Sequence, residues 1–237
     1  MNEPASITAS AASIAPPHVS VAMACFNAAP YLREAIDSIL NQTFRDFEFL
    51  IINDGSTDDS HDVIASYRDA RIRLIENSGN QGLIYSLNRA LHEARADWIA
   101  RMDADDVSDP ERLAAQWAFA HERNLDICYC DWKESNFDGG LETVHRDSAV
   151  PPVVRRWRVL FENLYGAHAV ALFRRQAIID VGGYDPAYRH SEDYDLWFRC
   201  ARAGLNAGHL PRVLYHRRLL ETSVTGSMDY RTHAPAI

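Results

Sequence analysis

Residues 97–106 read DWIARMDADD. The apolar run is too short for a helix and suits a buried strand. It leads straight into Asp103, Asp105 and Asp106, three carboxylates in four positions. Ionised carboxylates resist desolvation and repel one another. They must therefore lie where the strand meets solvent, and something must offset their charge.

Upstream, three more apolar runs read as strands: VSVAMACF (19–26), FEFLIIND (47–54) and RIRLIE (71–76). Between them lie helical patterns. In PYLREAIDSILNQ (30–42), Leu32, Ala35, Ile36, Ile39 and Leu40 form one stripe, and Pro30 suits the first turn. DGSTDDSHDVIASY is a turn entering a helix, with Ser56 or Thr57 as N-cap. The loop NSGNQG precedes a helix marked by Leu83, Leu87, Ala90, Leu91 and Ala94. Strands alternating with helices predict βαβ units, hence a single α/β domain with a mostly parallel central sheet flanked by helices.

Downstream, SDPERLAAQWAFAHE predicts a helix capped by Asp109 with Pro110 at its first position. LDICYCDW is strand-like, residues 136–152 read as loop, and VVRRWRVLFEN (153–163) as a helix. AVALF predicts a strand, and RRQAIIDV a short helix ended by Gly182 and Gly183. EDYDLWFRCARAG predicts a helix with Leu196, Cys200 and Ala203 inward, and PRVLYHRRL (211–219) a last strand. Residues 1–17 read as a disordered lead-in without the features of a signal peptide, and 221–237 as a tail.

A net charge of −9 argues against nucleic acid as a partner. No apolar run reaches the length of a membrane span. Four scattered cysteines do not make a disulfide scaffold, so a reduced, cytoplasmic protein is expected. Cys128 and Cys130 could suggest zinc, but no second ligand pair accompanies them, and buried thiols are the better reading.

In open α/β sheets, ligands bind beyond the carboxyl ends of the strands. Asp54 and the Asp103–Asp106 cluster both follow strands and fall on that edge. One helix cap needs one carboxylate, and Asp109 already serves. A bound cation explains the cluster better. Oxygen donors select Mg²⁺ or Mn²⁺, often completed by substrate phosphates. Glycine-rich dinucleotide and P-loop motifs are absent from the sequence.

Four blocks together resemble inverting family 2 glycosyltransferases of the GT-A fold: VSVAMACFNAAPYLREAIDSILNQTFRDFEFLIINDGSTDDS, GNQGLIYSLNRALHEARADWIARMDADD, ALFRRQAIIDVGGYDP and SEDYDLWFRCARAG. The likeness spans residues 18–218. It implies a Rossmann-like nucleotide-sugar half over 18–110 and an acceptor half over 111–220. Asp54 would bind the base of the donor, and Ala24, Phe26 and Asn27 would line its pocket. Asp103 would face the ribose or the metal's water shell, Asp105 would ligate the Mn²⁺ or Mg²⁺, and Asp106 would support them. Asp193 would be the catalytic base, with Glu192 and Trp197 on the acceptor side. His216 would help hold the metal or diphosphate. The donor implied is a nucleotide-sugar, UDP-linked, and the acceptor a glycan or lipid-linked glycan of cell-surface polysaccharide synthesis. The basic stretch RRWRVLF (155–161) offers peripheral contact with a membrane's inner face. The Q-x-x-R-W signature of processive synthases is missing, which points to one sugar per visit.

The chemistry is consistent with these residues. Breaking a bond to diphosphate needs a cation for the leaving group, and activating a hydroxyl needs a carboxylate base. Two rivals are weighed. A sugar nucleotidyltransferase would carry a Gly- and Lys/Arg-rich loop where ACFNAAPYL stands. A non-catalytic binding module would tolerate losing the acids that are all present here.

Overall fold

The computed structural model describes residues 16–136, Gly140, 142–147 and 168–220. Their strands form one nine-stranded sheet. β1 (Val19–Cys25), β2 (Phe47–Asn53), β3 (Ile72–Glu76) and β4 (Trp98–Asp103) supply its parallel half. β1 and β2 are buried almost throughout, as the apolar runs require. β5 (Val107–Ser108), β6 (Ile127–Asn136), β7 (Glu142–His145), β8 (Leu172–Arg174) and β9 (Ala207–Leu219) complete the sheet. The order is β3-β2-β1-β4-β8-β6-β9-β5, with β7 paired to β6. The antiparallel pairings enter with β8, which lies between β4 and β6.

The helices are α1 (Ala29–Leu40), α2 (Ser60–Ala65), α3 (Leu83–Glu93), α4 (Arg112–Glu122), α5 (Arg175–Asp180) and α6 (Glu192–Ala203). α1 buries Leu32, Ala35, Ile36 and Ile39, the predicted stripe. α3 packs on β1 and β2, and α4 on β6 and β9.

Several local expectations change. α2 begins at Ser60, later than a cap at Ser56 or Thr57 would place it. Asp109 accepts from the Glu111 N–H, but α4 starts only at Arg112. The strand expected over 169–173 is a 3₁₀ turn, His168–Val170, followed by the shorter β8. β7 falls in the expected loop over 136–152. β9 is longer than predicted and carries Pro211 beside a register shift against β6, where a missing N–H is tolerated. Ala203 is exposed, and Trp197 takes an inward place instead. The helix expected over 153–163, the lead-in up to residue 15 and the whole of the tail, 221–237, lie outside the described residues.

Candidate active site

Register places Ala24 beside Asp103, and Cys25 beside Asn53. The ends of β1, β2 and β4 therefore form one edge, the position at which such sheets bind ligands. A cleft of about 1560 Å³ opens there, lined among others by Ala24, Phe26, Asp54, Asp103, Asp105 and Asp106, and on its far side by Glu192 and Asp193.

The segment after β2 is spent on structure. Asn53 Oδ1 accepts from the Ser56 N–H and hydroxyl. Ser56 Oγ accepts the Asn27 N–H, Ser60 Oγ the Ala28 N–H, and Asp58 Oδ2 the Ala29 N–H. The serines and Asp58 thus satisfy the orphan donors at the start of α1. Asn27 returns the favour, its Oδ1 accepting the Thr57 N–H at 2.8 Å with the backbone at φ 51°. Asn27, expected in the pocket, has its side chain engaged by the loop and does not line the cleft.

Asp54 is 4% exposed and takes three donors: Asn77 Nδ2 at 2.6 Å, the Gln81 N–H at 3.0 Å and the Gly82 N–H at 2.8 Å. It anchors the loop that leads into α3 while touching the cleft. Gly55 makes that anchoring possible. Its φ is 70°, and a Cβ there would meet the Gly79 backbone at 2.5 Å.

The acid turn joins β4 to β5. Arg101, 2% exposed, meets Asp103 at 2.6 Å and the Met102 carbonyl. Arg112, fully buried, donates to the carbonyls of Arg101 and Ala169, both at 2.8 Å, and lies over the Tyr215 ring. β9 closes the turn from the other side. The Asp103 N–H donates to the Tyr215 hydroxyl at 3.1 Å, and the Arg218 N–H to Asp106 Oδ1 at 2.8 Å.

Charge is distributed unevenly among the three acids. Desolvation pushes Asp103 up, but Arg101, His168 and Arg217 together outweigh it and hold Asp103 below the usual carboxylate range. Burial and the charge of Asp103 raise Asp105 to about 6. Burial and both neighbours push Asp106 well above the usual range. Asp105 and Asp106 are therefore the cleft-lining carboxylates whose charge is poorly compensated. An all-oxygen donor set of this kind fits Mg²⁺ or Mn²⁺, with phosphates and water completing the shell. Among the described residues, no three His, Cys, Asp or Glu side chains form a ready-made cage. This fits a metal held by one or two carboxylates together with its substrate.

Arg101 and Arg112 were not singled out from sequence. Strand alternation could have found the first, because residues 101 and 103 share a face of β4. Arg112 carries no local signal, since it reaches the turn only through α4 packing.

His216 does not join the acids. Its Nε2 is 2.7 Å from Ser135 Oγ, and it pairs across to Val107 rather than lining the cleft. Arg217 and Arg218, its neighbours on β9, line the cleft instead. Trp197, expected on the acceptor side, does not line the cleft either. It is fully buried, edge-on to Phe173 and His168, and supports the site from behind.

Across the cleft, Asp193 and Glu192 open α6. Asp193 Oδ1 accepts the Tyr194 N–H at 2.7 Å. Burial and Asp193 raise Glu192. Asp195 turns away to Arg199 at 2.5 Å, and Arg199 also donates to the carbonyls of Val181 and Gly183. All four cysteines are buried and free, and burial raises Cys130 to about 12. None of the described helices is long and apolar enough to cross a membrane.

Known proteins agree with this architecture. The O-antigen biosynthesis glycosyltransferase WbnJ of Escherichia coli is 33% identical over 187 residues, which cover 76% of this chain and 70% of WbnJ. S. aureus TarS (residues 1–349), solved with UDP-GlcNAc, superimposes with a TM-score of 0.77 at 19% identity, over 89% of this chain and 61% of that one. The mannosyltransferase PcManGT of Pyrobaculum calidifontis, solved with GDP-Man and Mn²⁺, gives 0.68 at 21% identity, over 88% and 59%. These two share the GT-A fold. Residues 20–182 match the sequence profile described as Glycosyl transferase family 2. With that profile spanning most of the sheet that builds the cleft, the chain belongs to glycosyl transferase family 2.

Proposed function

We propose that this protein transfers a sugar from a nucleotide-sugar to a hydroxyl acceptor with inversion, using a divalent cation and Asp193 as base. The observation that carries the reading is one cleft with acids on both sides: Asp103 and Asp105 at the end of β4, and Asp193 at the start of α6. A cation bound at Asp105, with Asp103 beside it, would neutralise charge on the diphosphate leaving group. Arg101 keeps Asp103 ionised and fixed for that task. Asp193, at the start of α6 and lining the cleft, is placed to take the acceptor's proton during attack. A single base and a single displacement invert the anomeric carbon.

UDP is the favoured carrier and a glycan or lipid-linked glycan the favoured acceptor. TarS with UDP-GlcNAc supports the first, and the O-antigen role in WbnJ's name supports a setting in cell-surface polysaccharide assembly. GDP-mannose remains in the test set because PcManGT takes it.

The test measures nucleotide release and product configuration with Mn²⁺ across UDP- and GDP-sugars. Asp193→Asn should keep UDP affinity and lose turnover by about 10²–10⁴-fold. Near-normal turnover in that variant, or a product with retained configuration, overturns the mechanism. Asp105→Ala should weaken Mn²⁺-assisted UDP binding, and an unchanged calorimetric affinity removes Asp105 as ligand.

A further inference from the structure

Tyr184 is gripped by its backbone. Its N–H donates to Asn88 Oδ1 at 2.9 Å, and its carbonyl accepts from Asn88 Nδ2 at 2.8 Å. One side chain of α3 therefore holds both groups. The approach requires glycine before it: Gly183 has φ 65°, and a Cβ there would lie 2.7 Å from Asn88 Oδ1. So held, the Tyr184 hydroxyl lies 2.7 Å from His168 Nε2. Trp197 stands edge-on to the imidazole at 5.9 Å and limits its rotation.

His168 lines the cleft. Its Nδ1 has no hydrogen-bond partner among the described residues. The ring, part of the cleft wall, lies within electrostatic reach of Arg101, Asp193 and Asp103.

Tyr184 decides which nitrogen carries the proton. The residue is 2% exposed, and its hydroxyl has no other hydrogen-bond partner among the described residues. Were Nε2 the donor, the phenolic hydrogen would be stranded in a dry site, a substantial penalty. Nε2 therefore accepts, and the proton resides on Nδ1. Burial and Arg101 push the ring down to about 4, so it is neutral near pH 7.

We propose that His168 is a substrate-positioning residue that donates an Nδ1–H hydrogen bond to an oxygen of the transferred sugar, with Tyr184 and Asn88 setting its tautomer. The contact rests on the reading of the cleft as a glycosyl-transfer site. The kind of oxygen follows from the surroundings. A neutral donor between Asp103 and Asp193 suits an uncharged hydroxyl or ring oxygen, whereas a phosphate would call for a cation.

Long-range ¹H–¹⁵N spectra of histidine-labelled protein test the tautomer, with His168→Gln identifying the signal. The wild type should show Nδ1 protonated and Nε2 bare. Tyr184→Phe should turn that single tautomer into an averaged mixture. Calorimetry then compares UDP with UDP-glucose and UDP-GlcNAc, and GDP with GDP-mannose. In His168→Phe, bare nucleotide affinity should stay within about twofold, while the increment added by the sugar falls about 3–10-fold, the share of one neutral hydrogen bond. An Nε2-protonated or doubly protonated ring in the wild type overturns the assignment. Nucleotide binding with an unchanged sugar increment overturns the contact alone. A wild type that binds none of these nucleotides overturns the glycosyl-transfer reading and this contact with it.

Discussion

Replacing Arg101 with methionine should separate the charge of the acid turn from its fold. The guanidinium is 2% exposed and sits 2.6 Å from Asp103. Removing one partner of a buried ion pair costs about 3–5 kcal/mol, chiefly through the charge left behind. The Asp103 side chain is 37% exposed, so water recovers part of that cost, leaving about 2–3 kcal/mol. For a domain of this size each kcal/mol lowers Tm by about 2–4 °C, so the variant should melt roughly 4–12 °C lower in chelator. The electrostatics point the other way for a metal. The turn loses the nearest cation, and an added Mn²⁺ should gain about 1–3 kcal/mol of attraction at the turn's short distances. Thermal unfolding in chelator and in saturating Mn²⁺ reads both effects. Mn²⁺ should raise the Tm of Arg101→Met by more than it raises the wild type. An equal or smaller Mn²⁺ shift would refute the idea that Arg101 stands in for part of the cation's charge, and an unchanged Tm would refute the buried-pair cost.

Asp195→Asn should destabilise without the catalytic signature of Asp193. It loosens the Arg199 clamp on the carbonyls of Val181 and Gly183, at about 1–3 kcal/mol in urea unfolding, with nucleotide turnover per folded molecule largely kept. His216→Ala should leave Mn²⁺-assisted UDP affinity within about twofold, because its Nε2 is engaged with Ser135; a large loss would return it to the metal site. Glu48 supplies a pH test. Burial raises it, but the Ser20 hydroxyl, Arg73 and the Arg95 N–H prevail and hold it below its ordinary 4.5. An acid depressed in the folded state adds stability above its unfolded pKa and loses it as pH falls through the folded value. The stability gap between wild type and Glu48→Gln should therefore be full at neutral pH and close progressively below 4.5. A pH-independent gap in urea unfolding would show that packing, not ionisation, sets Glu48's contribution.

In the parallel half, β1, β2 and β4 were legible because they are buried almost throughout and read as short apolar runs, whereas the half-buried β3 showed through Ile72, Leu74 and Ile75. β7 was not, because ETVH packs no apolar face into the core and pairs only at an edge of β6. The acids were legible as a cluster, but not their neutralisation, since Arg112 reaches the turn through tertiary packing. GSTDDS misled in a different way. Its side chains suit helix capping, but most of them serve α1, 29 to 32 residues upstream, and only Asp58 also accepts the Ser60 N–H that opens α2. His216 and Trp197 lie on the expected strand and helix, but their side chains engage Ser135 and the core rather than the cleft, an orientation that sequence position does not convey. His168 and Tyr184 gave no motif, because their pairing depends on the Asn88 grip from α3.

The acid turn is finished by residues 112 positions further along the chain: Tyr215 receives the Asp103 N–H, and the Arg218 N–H reaches Asp106. During synthesis, the first four strands can pair as soon as they emerge, since each lies next to a strand already made. The turn cannot. Until β9 arrives, Asp106 lacks its backbone donor and the carboxylates repel without restraint. Loop closure over that separation is a slow, late event. A nascent chain thus acquires the shared edge of β1, β2 and β4 first and the geometry of its acid turn last, so the cleft is finished only with the completed sheet.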